Sequence, residues 1–230
     1  MVNMIAANIE EIRKKVDIAR LKSPLRWEEI TLLAVTKTVE PKWIADAMEV
    51  DVNTLGENRV QELISKYDLL SDAKWHLIGH LQTNKVKYII NKVTMIESLD
   101  SLDLAAEIDK RAAMFGLVMP VLVQVNVGEN EQKFGLPPEQ AVAFIREAAL
   151  LKNISIRGLM TIGPFYEEAE QMRPVFAALR ELFLLIRGLD IPNVSMKYLS
   201  MGMSHDYHIA VEEGANIIRV GSAIFGCRIK

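Results

Sequence analysis

Residues 31–43 read TLLAVTKTVEPKW, and this stretch helps to distinguish a closed α/β barrel from an open, doubly wound α/β sheet. The apolar run TLLAVTK predicts a buried strand, and Pro41 stands where a helix can begin. An open, doubly wound sheet that binds a dinucleotide would carry a glycine-rich fingerprint between this strand and the helix, and the sequence has none. The stretch therefore favours a barrel, provided that the pattern repeats along the chain.

The same alternation of strand and helix continues through the rest of the sequence. Runs this apolar are typical of parallel strands that are buried on both faces. Eight is the number of strands that closes a TIM-like barrel, and the chain has eight runs: 31–37, 52–56, 75–79, 93–98, 120–127, 154–162, 194–200 and 216–220. We therefore predict an α/β protein, a single (β/α)8 barrel domain that spans residues 1–230.

An additional helix is predicted before the first strand. It must end before Ser23-Pro24, and its apolar residues are spaced alternately by four and three, which places them on one face: Ile5, Ile9, Ile12, Val16 and Ala19. Only ten residues follow the eighth run, too few for a full outer helix. We expect the N-terminal helix to close the ring between the eighth and first strands.

The composition excludes several classes of partner. The net charge of −3 comes from interspersed acidic and basic residues, so no nucleic-acid footprint is predicted. Cys227 is the only cysteine, which rules out an intrachain disulfide and a thiolate metal cluster. The longest apolar stretch is broken by Gly116 and Pro120, and the first residues lack the core of a signal peptide. We expect a cytoplasmic protein without a membrane partner.

The histidines do not predict a metal site. His76 and His80 lie in or beside a strand, where four residues separate two side chains by about 13 Å. One ion cannot bridge that distance. No third ligand with suitable spacing accompanies His205 and His208.

In a barrel, functional groups are expected at the carboxyl ends of the strands and in the loops that follow. Lys37 ends the first strand after an almost wholly apolar run, so its amine could be desolvated and nucleophilic toward a carbonyl. A lysine whose stem covers apolar surface while its charge reaches water fits the position equally well. The other polar or small residues at strand ends are Glu57, Asn58, His80, Ser98, Asp100, Asn126, 160–163, 200–204, Arg219, Gly221 and Ser222.

The loops after the seventh and eighth strands predict a phosphate site. A short helical turn begins at Gly221 and Ser222, and the free N–H groups at such a start bind phosphate. Gly202 and the Ser204 hydroxyl belong to the same corner of a barrel. The alternative is that Gly221 only makes a tight turn and that Ser204 caps a helix beginning near His205.

Arg219 precedes Gly221 by two residues, so both can face one ligand. A guanidinium has donors and no acceptor. Facing a pyridine nitrogen, it would donate to that nitrogen and keep it unprotonated, which weakens the ring as an electron sink. The alternative is an ordinary salt bridge to Glu212 or Glu213.

The sequence resembles the pyridoxal phosphate homeostasis protein family, whose members are similar to the barrel domain of alanine racemase. The segments that carry the resemblance are AVTKT (34–38), GENRVQE (56–62), WHLIGHLQTNK (75–85), GLMTI (158–162) and SMGMSHDYHIAVEEGANIIRVGSAIFG (200–226). The resemblance implies pyridoxal 5'-phosphate as the cofactor, bound as a Schiff base on Lys37. It also implies a phosphate held by Ser204 and by the backbone at Gly221 and Ser222, Arg219 beside the pyridine nitrogen, and a pocket lined by Asn58, Met160 and Ser200.

The resemblance further implies a carrier without robust turnover, which buffers the cofactor, delivers it to apo-enzymes and so influences amino-acid and keto-acid balance. Two-base racemisation needs a second acid/base on the opposite face of the substrate. Racemases of this type take it from an added β-domain of the partner subunit, for which we expect no residues in this chain. We expect a monomer or a weak dimer.

Two alternatives remain open. One is a small pyridoxal-dependent racemase that uses Lys37 with His80 or Tyr207 as its second base. The other is a phosphate-binding barrel enzyme of sugar or indole metabolism, which the phosphate corner alone would also fit.

Overall fold

The computed structural model describes residues 2–128 and 134–226, which form a closed barrel of parallel strands. The order of the strands around the barrel is their order in the chain, and β1 pairs with β8 to close it. The strands are β1 (Thr31–Val35), β2 (Thr54–Glu57), β3 (Lys74–Leu77), β4 (Met95–Leu99), β5 (Met119–Gln124), β6 (Ile154–Met160), β7 (Val194–Ser200) and β8 (Ile217–Val220). The predicted α/β fold, a (β/α)8 barrel, is confirmed.

The helices in the described ranges are α1 (Val2–Lys22), α2 (Pro41–Met48), α3 (Val60–Tyr67), α4 (Leu102–Met114), α5 (Ala141–Ala148), α6 (Arg173–Gly188), α7 (Tyr207–Glu212) and α8 (Ser222–Phe225). Six of these helices connect one strand to the next, α1 precedes β1, and α8 follows β8. The connection between β3 and β4 contains only a 3₁₀-helix, Thr83–Tyr88. A separate 3₁₀ turn, Ala169–Met172, precedes α6, because Pro174 suits the first turn of a helix rather than its interior.

The N-terminal helix closes the ring of helices, as predicted. It packs against α2, α7 and α8, and the Asn8 amide donates to the Ile224 carbonyl of α8 at 2.9 Å. Its predicted apolar face is buried, and its exposed face carries the ion pairs Glu10–Lys14 and Glu11–Lys15. The helix ends at Lys22, directly before Ser23-Pro24.

The core has two parts. The larger part lies between the strands and the helices and holds the big side chains Trp75, Phe176 and Phe183, all fully buried. The smaller part fills the inside of the barrel and consists of Leu33, Val35, Ile78, Met95, Leu122, Met160 and Ile217. Polar side chains share this interior, since a hydrogen bond between β4 and β7, which are not neighbours, must cross it.

Two further sequence predictions concern the single cysteine and a membrane-spanning helix. Cys227 lies outside the described residues. Among the described helices, none combines the length and the apolar character that a membrane crossing requires.

Candidate binding site

A cavity of about 490 Å³ opens at the carboxyl ends of the strands. Its apolar wall includes Val35, Ile78 and Ile162, and part of its rim comes from the loop after β6. Six of the eight residues proposed for the site line this cavity: Lys37, Asn58, Ser204, Arg219, Gly221 and Ser222. The cavity is also lined by three residues that were not predicted from the sequence, Phe165, Tyr166 and Asp206. They lie in loops, where neither periodicity nor a strand end marks them.

Lys37 follows β1 by two residues, and the turn that carries it is fixed on both sides. Before it, the buried Thr36 donates its hydroxyl proton to Glu57 at 2.7 Å. After it, Thr38 adopts a left-handed conformation with φ of 62°, and its N–H donates to the Glu62 carboxylate. A β-branched residue rarely adopts this conformation, so surrounding contacts must hold it. The structure places Lys37 in the cavity wall, partly buried.

A buried lysine from α3 supports the same turn. The Lys66 ammonium donates to the Thr36 carbonyl at 2.7 Å, to Glu57 at 2.7 Å and to Glu62 at 2.8 Å, which uses its three protons. Glu57 is fully buried, and burial raises its pKa although the hydrogen bonds from Lys66 and Thr36 oppose the change. The backbone on either side of Lys37 is thus anchored to a charged cluster beneath it.

Ser204 binds the backbone at the start of α8. Its Oγ accepts from the N–H of Gly221 at 3.0 Å and from the N–H of Ala223 at 3.3 Å. It does not cap α7, whose N-cap residue is Asp206, so that alternative reading of Ser204 is wrong. The Ser204 hydroxyl is therefore fixed against the start of α8, where Ser204, Gly221 and Ser222 together form one corner of the cavity wall.

Two glycines bring these loops close to their neighbours. Gly202, with φ of 88°, lies directly against α7, and a Cβ there would lie 2.5 Å from the Cβ of Ala210. Gly221 lies against β1, where a Cβ would lie 3.3 Å from the Val35 carbonyl oxygen. A Cβ at Gly202 would clash with α7, whereas a Cβ at Gly221 would make only a tight contact with β1. The close packing at Gly202 helps to set the position of the Ser204 corner.

Arg219 is almost fully buried, with 3% of its surface exposed. Its Nη1 donates to Ser200 Oγ and its Nη2 to the Thr161 carbonyl, each at 2.6 Å. The predicted alternative, a salt bridge to Glu212 or Glu213, is wrong, because Lys22, Arg173 and Arg180 hold those carboxylates. Burial lowers the pKa of Arg219, while the charges of Glu97 and Asp206 oppose the change.

The last two residues proposed for the site lie beneath the cavity rather than in its wall. Met160 is fully buried in the apolar cluster inside the barrel. Ser200, also fully buried, joins two charged groups, since it accepts from Arg219 and donates to Glu97 Oε2 at 2.6 Å.

The far end of this series of hydrogen bonds was not predicted from the sequence. Glu97 Oε1 lies 2.7 Å from Nδ1 of His76 on β3, and both side chains are buried. Burial would raise the pKa of Glu97, but His76, Arg219 and Ser200 outweigh burial, and the pKa is lowered. A signal was available in the run VTMIES, because a carboxylate within an apolar strand needs partners in the interior.

His76 and His80 have separate partners. Whereas His76 contacts Glu97, the His80 ring stacks on Phe134 at 3.8 Å between centroids, with its Nδ1 3.4 Å from Asp100. Burial raises the pKa of Asp100, although His80 opposes the change. Within the described residues, no group of three or more His, Cys, Asp or Glu side chains could hold a metal ion.

Comparison with known proteins agrees with this architecture. The family model described as "Alanine racemase, N-terminal domain" matches residues 3–229, so the chain is a barrel of that class. A protein from Aquifex aeolicus named "Pyridoxal phosphate homeostasis protein" is 47% identical over 199 residues, 86% of each chain. An Escherichia coli (strain K12) protein of that name is 32% identical over 232 residues, 99% of this chain and 98% of its own. The chain belongs to the pyridoxal phosphate homeostasis protein family.

A solved relative carries the cofactor. The structure of PipY of Synechococcus elongatus PCC7942 with PLP bound is similar to this chain with a TM-score of 0.84 and 33% sequence identity. The similarity covers 96% of this chain and all of that one, 100%.

Proposed function

We propose that this chain binds pyridoxal 5'-phosphate as a Schiff base on Lys37 and acts in intracellular homeostasis of that cofactor by buffering and delivering it. The observation that carries the proposal is that one cavity collects a lysine amine, a phosphate corner and an arginine. The PLP-bound structure of PipY and the names of the relatives support it. The proposed pocket consists of Lys37, Asn58, Met160, Ser200, Ser204, Arg219, Gly221 and Ser222, and the whole chain, 1–230, serves as one cofactor-binding domain.

The donor set fits the chemistry of this cofactor. An aldehyde requires an amine, a phosphate requires N–H and hydroxyl donors, and a pyridine nitrogen without a proton requires a donor. Lys37, the Ser204 corner and Arg219 supply these groups in that order. The apolar wall at Val35, Ile78 and Ile162 suits the face of an aromatic ring.

The residues of the chain hold the cofactor rather than transform it. When bound, the cofactor would supply an aldehyde, and the Lys37 amine would hold it as the proposed Schiff base. Ser204 and the start of α8 at Gly221 and Ser222 would hold the phosphate through hydrogen bonds. Arg219 would donate a hydrogen bond to the ring nitrogen. Because a guanidinium has no acceptor, it cannot pair with a protonated nitrogen, so the ring would remain a weak electron sink, which disfavours carbanion chemistry.

The geometry favours a carrier over a racemase. Among the described residues, neither His80 nor Tyr207, the two candidates for a second base, lines the cavity. His80 is engaged by Asp100 and Phe134, and Tyr207 is 5% exposed and belongs to the packing of α7. We further propose a cytoplasmic location, PLP-dependent apo-enzymes as recipients, and a monomer or weak dimer.

Borohydride reduction of the loaded protein, followed by peptide mass mapping, tests the binding site. We expect one pyridoxyl adduct on Lys37, lost in Lys37→Ala and kept in the matched control Lys42→Ala, whose lysine is exposed beside Trp43. Wild-type protein without an adduct on Lys37 would contradict both the carrier and the racemase and favour a phosphate-binding enzyme. Ser204→Ala should weaken cofactor retention and leave the fold intact, and unchanged retention would remove its phosphate role.

The role as a carrier needs a separate assay. We expect bound cofactor to pass to an apo-enzyme of the pyridoxal-dependent class, with recovery of that enzyme's activity. Sustained amino-acid racemisation by the purified, loaded protein that disappears in Lys37→Ala would show an enzyme instead.

A further inference from the structure

The interior of the barrel holds a continuous chain of four buried polar side chains, each from a different strand. His76 on β3, Glu97 on β4, Ser200 on β7 and Arg219 on β8 are joined by contacts of 2.7, 2.6 and 2.6 Å. Only its last member lines the cavity; the other three lie behind it. Strands β4 and β7 are not neighbours in the barrel. Among the described residues, the hydrogen bond from Ser200 to Glu97 is the side-chain hydrogen bond that joins them.

The direction of each hydrogen bond follows from the chemistry of the groups. Arg219 can only donate, so the Ser200 oxygen accepts from it, and the Ser200 proton must then point to Glu97. An ionised carboxylate can only accept, so Nδ1 of His76 carries a proton. The Glu97 carboxylate therefore orients His76 and Ser200 directly, and it orients Arg219 through Ser200.

We propose that Glu97 is a positioning residue for Arg219, acting through the Ser200 hydroxyl and itself held in place by His76. This inference rests on the proposed function, because it concerns how the guanidinium is presented to a bound pyridine ring. Glu97 supplies a counter-charge for the buried arginine from the side away from the cavity, through Ser200. Arg219 is then free to face the ligand while its Nη1 and Nη2 stay fixed.

Charge balance explains why this device needs a full carboxylate. A buried guanidinium without a counter-charge is costly, and so is a buried carboxylate without a cation. The second acid near Arg219 is Asp206, whose pKa burial raises and whose Oδ1 already accepts from the Met203 N–H at 2.6 Å. Glu97, whose pKa is lowered, is the more readily ionised of the two acids.

Substitutions along the chain test the inference. Glu97→Gln removes the negative charge, and Ser200→Ala removes the hydroxyl between Glu97 and Arg219. His76→Leu removes the hydrogen bond from Nδ1 to Glu97, while His76→Asn keeps an N–H near the position of Nδ1. The matched control is Ser98→Ala, because Ser98 is also buried on β4 and its Oγ has no hydrogen-bond partner among the described residues. The readouts are the absorption maximum of the loaded protein, the rate of cofactor release, and the thermal unfolding midpoint.

We expect Glu97→Gln and Ser200→Ala to speed cofactor release about tenfold, the equivalent of about 1.4 kcal/mol, and to shift the absorption maximum. His76→Leu should behave similarly, and His76→Asn and Ser98→Ala should stay within about twofold of wild type, within the effect of a neutral substitution. Variants with a lower unfolding midpoint but wild-type release and absorption would overturn the inference, since a purely structural role moves only the midpoint.

A measurement on the apo-protein separates this inference from the proposed function. Nitrogen NMR of wild-type apo-protein should show His76 protonated on Nδ1, and Glu97→Gln should change its resonances. A His76 that carries its proton on Nε2 alone would overturn the inference whether or not the cofactor binds. Wild-type protein that forms no adduct on Lys37 would count against the proposed function, whereas a normal adduct with unchanged variants would count against this inference alone.

Discussion

Replacing Lys66 by methionine should destabilise the protein strongly at neutral pH. The change removes three hydrogen bonds and leaves the fully buried Glu57 without its cation. Glu57 Oε2 already has no partner among the described residues, so the hydroxyl of Thr36 would be its main remaining donor. Breaking a buried ion pair by removing one partner costs about 3–5 kcal/mol, and we expect a loss in that range.

The loss should shrink on acidification. Burial raises the pKa of Glu57 above its ordinary value of 4.5, against the opposing hydrogen bonds of Lys66, whose removal raises the pKa further. Between 4.5 and the raised value the folded protein binds more protons than the unfolded chain, so stability falls as pH rises through this window. The pKa of Glu62 lies below its ordinary value because the hydrogen bonds from Lys66 and Thr38 outweigh burial, which raises it. Without Lys66, part of this decrease in the pKa of Glu62 is lost as well. Lys66→Met should therefore lie closer to wild type at about pH 4.5 than at about pH 7.5.

Urea unfolding, followed by circular dichroism at both pH values, measures the effect. Lys42→Met is the matched control, because Lys42 is exposed and 3.5 Å from Glu40, and it should stay within about 0.5 kcal/mol of wild type. The double variant Lys66→Met with Glu57→Gln should recover about 2 kcal/mol, since it removes the uncompensated charge. A loss below about 1 kcal/mol, or a loss independent of pH, would refute the reasoning.

Three further predictions concern the fold. Phe183→Ala should lower the free energy of unfolding by about 3–5 kcal/mol because Phe183 is fully buried, whereas Phe165→Ala, 79% exposed, should change it by less than about 0.5 kcal/mol in the same urea titration. Gly202→Ala should cost more than about 1 kcal/mol because of its positive φ and the approach of Ala210, and a thermal melt beside Gly188→Ala, where a Cβ meets no atom within 4 Å, checks it. Ser101→Ala should cost about 1 kcal/mol, since its side chain caps α4 by accepting from the Leu104 N–H at 3.3 Å, and equal stability of the two proteins would contradict the cap.

The barrel could be predicted because its signals are local and repeated. Each strand is an apolar run a few residues long, and the face of α1 follows from the spacing of Ile5, Ile9 and Ile12. The boundaries were less accurate where a polar residue continues an apolar run, as at Lys37, which lies in a turn after β1 has ended at Val35. There the direction of the chain is set by Thr38 and its contact with α3, which no pattern within the strand contains.

The site was predictable as far as residues follow the ends of strands. That rule selected Lys37, Asn58 and Arg219, which share the cavity. It could not reveal the partners of these residues, because Glu97 and Ser200 are 103 positions apart and meet only inside a closed barrel. The alternative pairing of Arg219 with Glu212 failed for the same reason, since Arg173 reaches that carboxylate from α6.

The closure of the ring by α1 has a consequence for how the chain folds. The Asn8 amide and the Ile224 carbonyl are 216 positions apart, and β1 pairs with β8 along its length. During synthesis, the free edge of β1 must therefore stay unpaired until β8 has been made, and α1 cannot complete its packing against α8 before then. Contacts this distant in sequence slow folding and expose partly folded chains to aggregation. We expect the barrel to close late in folding. A chaperone, or a brief pause in translation before β8, should therefore affect the yield of folded protein more than its final stability.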